Sequence, residues 1–473
     1  MTRRQFASTT LATAFAANAQ AAGKPNIIHI MLDDLGTFDL GCYGSKQIQT
    51  PNIDRLAKQS MNFTQGYSGC TVCAPARSTL MTGKHMGHTP VRTNPGGVSI
   101  QASDVTVAQV LQKVGYKCGG FGKWGLGDIG TDGVPEKHGF DKFYGYYHQV
   151  HAHHYFPEYL VDTGKHAPLS GNAGMQAKRE PGPVPDVDPA TGAKHTFAEY
   201  VIRDEMLKWI RANKSGPFYC YAPWTIPHGL YRIPESDPAW QLYKDKPWSV
   251  TARVYAAFVT MADRFVGETM ALLKELGLES NTLVMFTSDN GAANPYENEL
   301  NSTGNLRGKK TNMYEGGIRV PFLARYPGVI KEGSTSDLPV YFPDFMPTFA
   351  ELAGASQHMP KGVDGISLVP ELTGRKKLDR NRPLYWEFGR GGNMETNYAP
   401  GMQAMRRGNW KIVRHELNGA WELYDLKADP SETKNLAAAQ PKLVAELDAW
   451  VKANRTDPPP QIEPEKPKGQ QWR

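Results

Sequence analysis

The sequence predicts an α/β fold in which a large, mostly parallel sheet is sandwiched by helices and followed by a smaller C-terminal α+β subdomain. Three observations carry this expectation. Five short runs are continuously apolar instead of alternating, which suits strands covered on both faces. Helical patterns separate these runs, as in successive βαβ units. From about residue 381 the pattern changes, and short strands follow one another as in an antiparallel sheet.

Taken in order, the chain begins with Arg3-Arg4-Gln5-Phe6, an Ala- and Thr-rich stretch, and the small residues Ala19-Gln20-Ala21. Residues 1–22 therefore read as a signal peptide of the twin-arginine type, and the mature protein is expected to be exported, periplasmic or secreted. Asn26–Leu32 is the first strand, with Asp33-Asp34 directly behind it. Thr50-Pro51 is a cap-and-first-turn signal for a helix through Ser60. A helix at Val105–Val114 precedes a strand at Tyr116–Phe121, which leads into Gly122-Lys123-Trp124. Residues 157–195 are rich in Pro, Gly and Asp without periodicity, and read as a long surface excursion.

A helix at Phe197–Ala212 and a strand at Phe218–Ala222 follow, the strand leading into Pro227-His228. The helix Val250–Leu276 precedes a strand at Thr282–Phe286, which ends in Thr287-Ser288-Asp289-Asn290-Gly291. Val320–Arg325 is the fifth strand and Asp344–Leu352 a further helix. The large domain is expected over 23–380. A subdomain over 381–455 would hold strands Leu384–Phe388, Trp410–Arg414 and Glu422–Leu426 with a helix at Lys442–Ala453, and 456–473 would form a flexible tail. The net charge of +6 comes from interspersed residues, which argues against a nucleic-acid partner. Beyond the leader, no apolar stretch is long enough for a membrane span.

Asp33, Asp34, Asp289 and Asn290 each follow a buried strand. In open α/β sheets that edge is where ligands sit. A lone Asp there would read as a helix N-cap. Paired carboxylates in a dry cleft repel each other unless a cation lies between them, and an all-oxygen set points to calcium or magnesium over zinc. The five cysteines are too few for a disulfide scaffold, and their odd number leaves at least one unpaired or chemically used. Cys70-Thr71-Val72-Cys73 has redox-motif spacing but lacks the small βαβ context of such motifs.

The string Cys73-Ala74-Pro75-Ala76-Arg77-Ser78-Thr79-Leu80-Met81-Thr82-Gly83 resembles the signature of the type I sulfatases, in the alkaline-phosphatase-like superfamily. Pro75 suits a helix start, so position 73 would meet the positive end of a helix dipole, with Arg77 one turn along the same face. Similar motifs recur at Pro25–Gly36, at Thr50–Ala57, at Phe286–Gly291, at Lys310–Pro321 and, more weakly, at Leu423–Leu426 with Asp429-Pro430-Ser431-Glu432.

The resemblance implies a sulfatase in which a separate maturation enzyme oxidises Cys73 to formylglycine. It also implies a divalent cation, calcium in preference to magnesium, on Asp33, Asp34, Cys73, Asp289 and Asn290. Arg77, Lys123, Lys310 and His228 carry over as catalytic residues, of which Lys123, Lys310 and His228 contact the sulfate ester. In the family a histidine often follows Lys-Trp; here that position is Gly125, which cannot act as a base. His85, His88, His148, His151, His153 and His154 are the nearby histidines that could take its place. Tyr146, Tyr147, Tyr155, Trp386, Arg406 and Arg407 are of types suited to a sugar- and anion-binding rim, with Arg406 as the substrate-binding choice. A sulfated carbohydrate is therefore the expected substrate. The alternatives are a phosphonate monoester or phosphodiester hydrolase of the same superfamily, or a non-catalytic binder of sulfated glycans with an unmodified thiol.

Overall fold

The computed structural model describes residues 23–94, 98–294, 299–389, 401–457 and 459. The leader read at 1–22 and nearly all of the tail read at 456–473 lie outside the described residues.

Ten strands form one sheet. In chain order they are β1 (Asn26–Asp33), β2 (Met61–Phe63), β3 (Lys117–Lys123), β4 (Lys142–Tyr146), β5 (Tyr159–Asp162), β6 (Lys165–Pro168), β7 (Phe218–Pro227), β8 (Thr282–Ser288), β9 (Phe322–Arg325) and β10 (Thr335–Ser336). Across the sheet the order is β10-β2-β9-β8-β1-β7-β3-β4-β5-β6. The central five, β8-β1-β7-β3-β4, are mutually parallel. They point their carboxyl ends to one edge, where Asp33, Lys123, Pro227 and Ser288 close their strands.

Seven helices matter for the site: α1 (Pro51–Lys58), α2 (Cys73–Thr82), α3 (Val107–Gln112), α4 (Ala198–Ala212), α5 (Val250–Glu275), α6 (Phe345–Ala353) and α7 (Pro441–Ala453). β1 shows why its run is almost wholly apolar, with His29 alone in its middle held neutral by burial. Ile27 and Met31 enter one core layer with Leu80 of α2, Val110 of α3 and Phe349 of α6. Ile28, Ile30 and Leu32 enter the opposite layer with Ile202 of α4 and Phe258 of α5. Alternate side chains of a strand face opposite sides, so a strand between two helical layers must be apolar on both.

Three expectations change. β9, read as one more parallel strand, runs antiparallel to β8. Among the described residues only the short helix Glu315–Ile318 lies between them, too little for the full crossover that would carry the chain back to the sheet's opposite end. The excursion at 157–195 supplies the edge hairpin β5–β6 and a strand at Gly182–Val184 paired with Arg232–Pro234. The C-terminal sheet has a strand the patterning did not show: β11 (Pro383–Phe388), β12 (Met402–Arg407), β13 (Trp410–Arg414) and β14 (Glu422–Asp425), all antiparallel, with β12 the addition.

A buried ionic cluster joins this small sheet to the large one. Lys411 Nζ of β13 lies 2.9 Å from Glu315 and 2.8 Å from Glu432. Glu315 also meets Arg319 at 2.7 Å and accepts from Tyr67 at 2.6 Å. Replacing Lys411 by Met leaves buried Glu432 without its cation and Glu315 paired with Arg319 alone. Stability is expected to fall by about 3–5 kcal/mol, read as a lower denaturant midpoint at unchanged slope.

Candidate active site

The residues following four strands and the first residue of one helix meet at the carboxyl edge of the sheet. Cys73 opens α2, and all ten residues of that helix are buried. No side chain of its N-cap residue Val72 closes the first turn, but Ala74 N donates to Asn94 Oδ1 at 3.2 Å. Gly83, at φ 68°, ends the helix in the left-handed conformation that glycine adopts without strain. Thr71, just upstream, accepts from Thr311 N at 3.1 Å and donates its hydroxyl to Asn312 O at 2.8 Å. The loop bearing Lys310 is thereby tied to the entry of α2.

Around the Cys73 thiol stand three carboxylates and three side-chain cations. Sγ lies 3.3 Å from Asp33 Oδ1 and 3.3 Å from Lys310 Nζ. Lys310 pairs with Asp34 at 2.7 Å, Lys123 with Asp33 at 2.6 Å, and Arg77 bridges Asp33 and Asp289 at 3.1 and 2.8 Å. His228 Nε2 sits 3.5 Å from Asp34 Oδ2. Asp33, Asp34, Arg77, Lys123, Asp289 and Asn290 are all buried. Asp34 takes φ 63°, so the turn after β1 aims adjacent carboxylates into one site.

Charge and burial pull these groups in opposite directions. Burial raises Asp33, but Lys123, His228, Arg77 and Lys310 outweigh it and hold the carboxyl well below its usual range. Burial wins at Asp34 and at Asp289, which is pushed up to about 6 with Asp33 adding to the rise. Burial, with Asp289 and Asp33 beside it, lifts the Cys73 thiol far above the ordinary range, so it stays protonated. Burial lowers Lys310, yet Asp34 and its neighbours restore the ammonium well above the usual value. His228 is held neutral by burial and by Lys310.

The donor set fits a hard cation. Asn290 Nδ2 donates to Asp34 Oδ1 at 2.7 Å, while its Oδ1 is buried without a donor. That oxygen, with carboxylates of Asp33, Asp34 and Asp289, makes an all-oxygen cage of the kind calcium and magnesium prefer.

The other sequence-nominated residues separate sharply. His85 and His88 lie past the far end of α2, about 15 Å along its axis from Cys73, where His88 meets Asp364 at 3.0 Å. His151 packs on Tyr146 at the end of β4 and Tyr159 at the start of β5. His148 accepts from Val150 N at 3.1 Å, and burial lowers His154, with Arg179 and Arg232 lowering it further. His153 does reach the site, with its ring 4.6 Å from that of His228.

The proposed rim is corrected. Tyr146, Tyr147, Tyr155 and Trp386 are core side chains, at most 1% exposed. Arg406 is buried and bonded to Tyr67, Gln65 and Gly408 O, because strand alternation turns it into the seam between the two sheets. It therefore does not face substrate. Arg407 points outward and pairs with Glu446 at 2.5 Å. Two groups escaped the sequence reading: Asn94 and Gln149 are joined at 2.7 Å beside α2, with no motif around either to single it out.

Residues 25–355 match the family model described as Sulfatase. The chain belongs to the sulfatase family. Residues 308–456 match the C-terminal model of N-sulphoglucosamine sulphohydrolase. The sulfatase is 32% identical to arylsulfatase A of Bos taurus, over 96% of this chain and 88% of that protein. It is 28% identical to the N-acetylgalactosamine-6-O-sulfatase of Bacteroides thetaiotaomicron, over 93% and 94%. The crystal structure of Ps i-CgsB in complex with k-i-k-neocarrahexaose superposes with a TM-score of 0.74 at 26% identity, covering 92% of this chain and 94% of that one. This sulfatase is an enzyme of sulfate ester hydrolysis in the alkaline-phosphatase-like superfamily, with the superfamily's large mixed sheet and separate small antiparallel sheet.

Behind His228, at the start of α4, Glu199 is fully buried near Thr225, and burial pushes its carboxyl to about 8 from an ordinary 4.5. Between those values the folded chain holds a proton that the unfolded chain releases, so this group makes stability fall as pH rises. Glu199→Gln is expected to flatten that slope and to gain on the wild type from about pH 5 to about pH 8, measured by denaturation at both.

Proposed function

We propose that this sulfatase removes sulfate from a sulfated carbohydrate, with residue 73 as formylglycine and one divalent cation, calcium, at the site. The observation that carries the reading is the buried thiol enclosed by three carboxylates and three side-chain cations. A protonated thiol is a poor nucleophile, and burial beside Asp289 and Asp33 holds Cys73 in that state. Conversion of residue 73 by a maturation enzyme resolves this. Hydrated formylglycine supplies a geminal diol, one hydroxyl of which is nucleophilic toward sulfur, and the cation favours the ionised form of that hydroxyl.

The chain's own groups then divide the work. Asp33, Asp34, Asp289 and Asn290 hold the cation. Calcium suits a buried cage of protein oxygens, whereas magnesium tends to keep several waters. Three acids already balance three bases, so a cation leaves the site net positive and matched to an anionic sulfate head. Arg77, Lys123 and Lys310 offset the charge that grows on the sulfuryl oxygens. His228, neutral before substrate binds, takes up a proton beside the bound sulfate anion and passes it to the ester oxygen that leaves as alcohol, returning to the neutral ring.

The carbohydrate assignment rests on the relatives named for N-acetylgalactosamine-6-sulfate chemistry and the carrahexaose-bound structure. His153 offers an additional polar group beside His228. The twin-arginine leader assigns the enzyme to the periplasm or the medium. Among the described residues no helix is long and apolar enough to cross a membrane.

Mass spectrometry of the peptide containing residue 73, on protein from its native host, is expected to show the aldehyde. An intact thiol on a turnover-competent enzyme would overturn the reading. Cys73→Ala is expected to abolish release of inorganic sulfate from sulfated sugars. Calcium at about a hundred times its Kd should stabilise the fold by about 2.7 kcal/mol. Chelation should remove that gain, and calcium should restore it better than magnesium.

A further inference from the structure

Position 125 bears no side chain, and the groups around it show what occupies its place. Gly125 lies just past β3 with φ 74°, and its N–H donates to Tyr147 O at 3.1 Å, which brings the following residues alongside. A Cβ at 125 would fall 2.5 Å from Gln149 Oε1 and 3.5 Å from Arg77 Cδ. The space a side chain at 125 would enter is therefore taken by the Gln149 amide, itself 5% exposed.

The orientation of that amide follows from its neighbours. Ala74 N–H can only donate, so the Asn94 atom 3.2 Å away is the oxygen. The Gln149 atom 2.7 Å from the same oxygen must then be its NH2 group. Gln149 Oε1 consequently turns toward Gly125 and Arg77, buried and without a donor in the described structure. The Arg77 guanidinium lies near the same space, with NH1 and NH2 committed to Lys123 O, Asp33 and Asp289 and the Tyr221 hydroxyl also facing it. A buried acceptor without a donor is costly, and a hydroxyl brought beside it supplies that donor. Residue 73 lies one helical turn before Arg77 on the same face of α2.

We propose that Gln149 is a positioning residue for the nucleophile: its amide oxygen, held beside the first turn of α2, binds one hydroxyl of the hydrated side chain at 73. The proposal rests on the formylglycine reading above. It answers what stands where related enzymes carry a histidine. An amide does not take up a proton near neutral pH, so Gln149 orients the hydroxyl and does not act as its base. Asn94 sets the geometry by fastening Gln149 to the first turn of the helix that carries residue 73.

Gln149→Met keeps the reach and volume of the side chain and removes the acceptor; Gln149→Glu keeps an acceptor oxygen. Conversion of residue 73 is measured first by peptide mass in all three proteins, with melting temperature as the folding control. At equal conversion, Gln149→Met is expected to lower kcat about tenfold or more with KM changed less than about threefold. It should also speed oxime formation at residue 73 with an aminooxy reagent several-fold, because the hydrate is held less firmly against the free aldehyde. Gln149→Glu should retain more activity and a labelling rate nearer the wild type.

Wild-type kcat and labelling in Gln149→Met would overturn the proposal. Equal losses in both variants would also overturn it, since they mark a packing role. A wild type that carries only thiol and releases no sulfate would instead sink the formylglycine reading. An active, aldehyde-bearing wild type with an indifferent Gln149→Met sinks the Gln149 assignment alone.

Discussion

The structure depends on a buried balance of charge at the carboxyl edge of the sheet. Asp33, Asp34 and Asp289 face Arg77, Lys123 and Lys310, and all but the partly exposed Lys310 are buried. Neither set would be tolerable alone, because an unpaired charge in such a place costs several kcal/mol. Together they permit a dense array of ionic groups inside a hydrophobic fold. The parallel sheet makes this possible, since β1, β3, β7 and β8 deliver their terminal residues to one edge while their bodies stay apolar.

Lys310 illustrates how far that balance reaches. Its backbone N–H donates to Ala292 O at 3.0 Å, two residues past Asn290, and the next residue is bonded to Thr71 beside Cys73. Five residues on, Glu315 enters the cluster with Lys411 and Glu432 that docks the small sheet. The C-terminal subdomain is thus mechanically continuous with a residue that contacts the thiol. Its charged residues hold the loop from behind, which is also where Arg406 is spent.

Sequence patterning failed where direction mattered more than residue type. Tyr146, Tyr147, Tyr155 and Trp386 were sound choices for a sugar platform by chemistry, yet all four fill the core. An aromatic ring suits either place, and only packing decides between them. The orientation of β9 was likewise invisible, since an apolar run reads the same in both directions. Gln149 had no motif to mark it; its importance arises from a contact with a glycine 24 positions away in the chain.

By itself the sequence determined the α/β class, the strand ends bearing Asp33, Asp34, Asp289 and Asn290, and the helix that starts at Cys73. Those features are local: apolar periodicity, caps and short strings of polar residues set them through nearest neighbours. Tertiary structure alone decided that His153 joins His228 at the site, which arginines are free, and what lies beside Gly125. These are outcomes of long-range packing, in which a side chain's direction follows from the layer it is pressed into and from the partners that layer supplies.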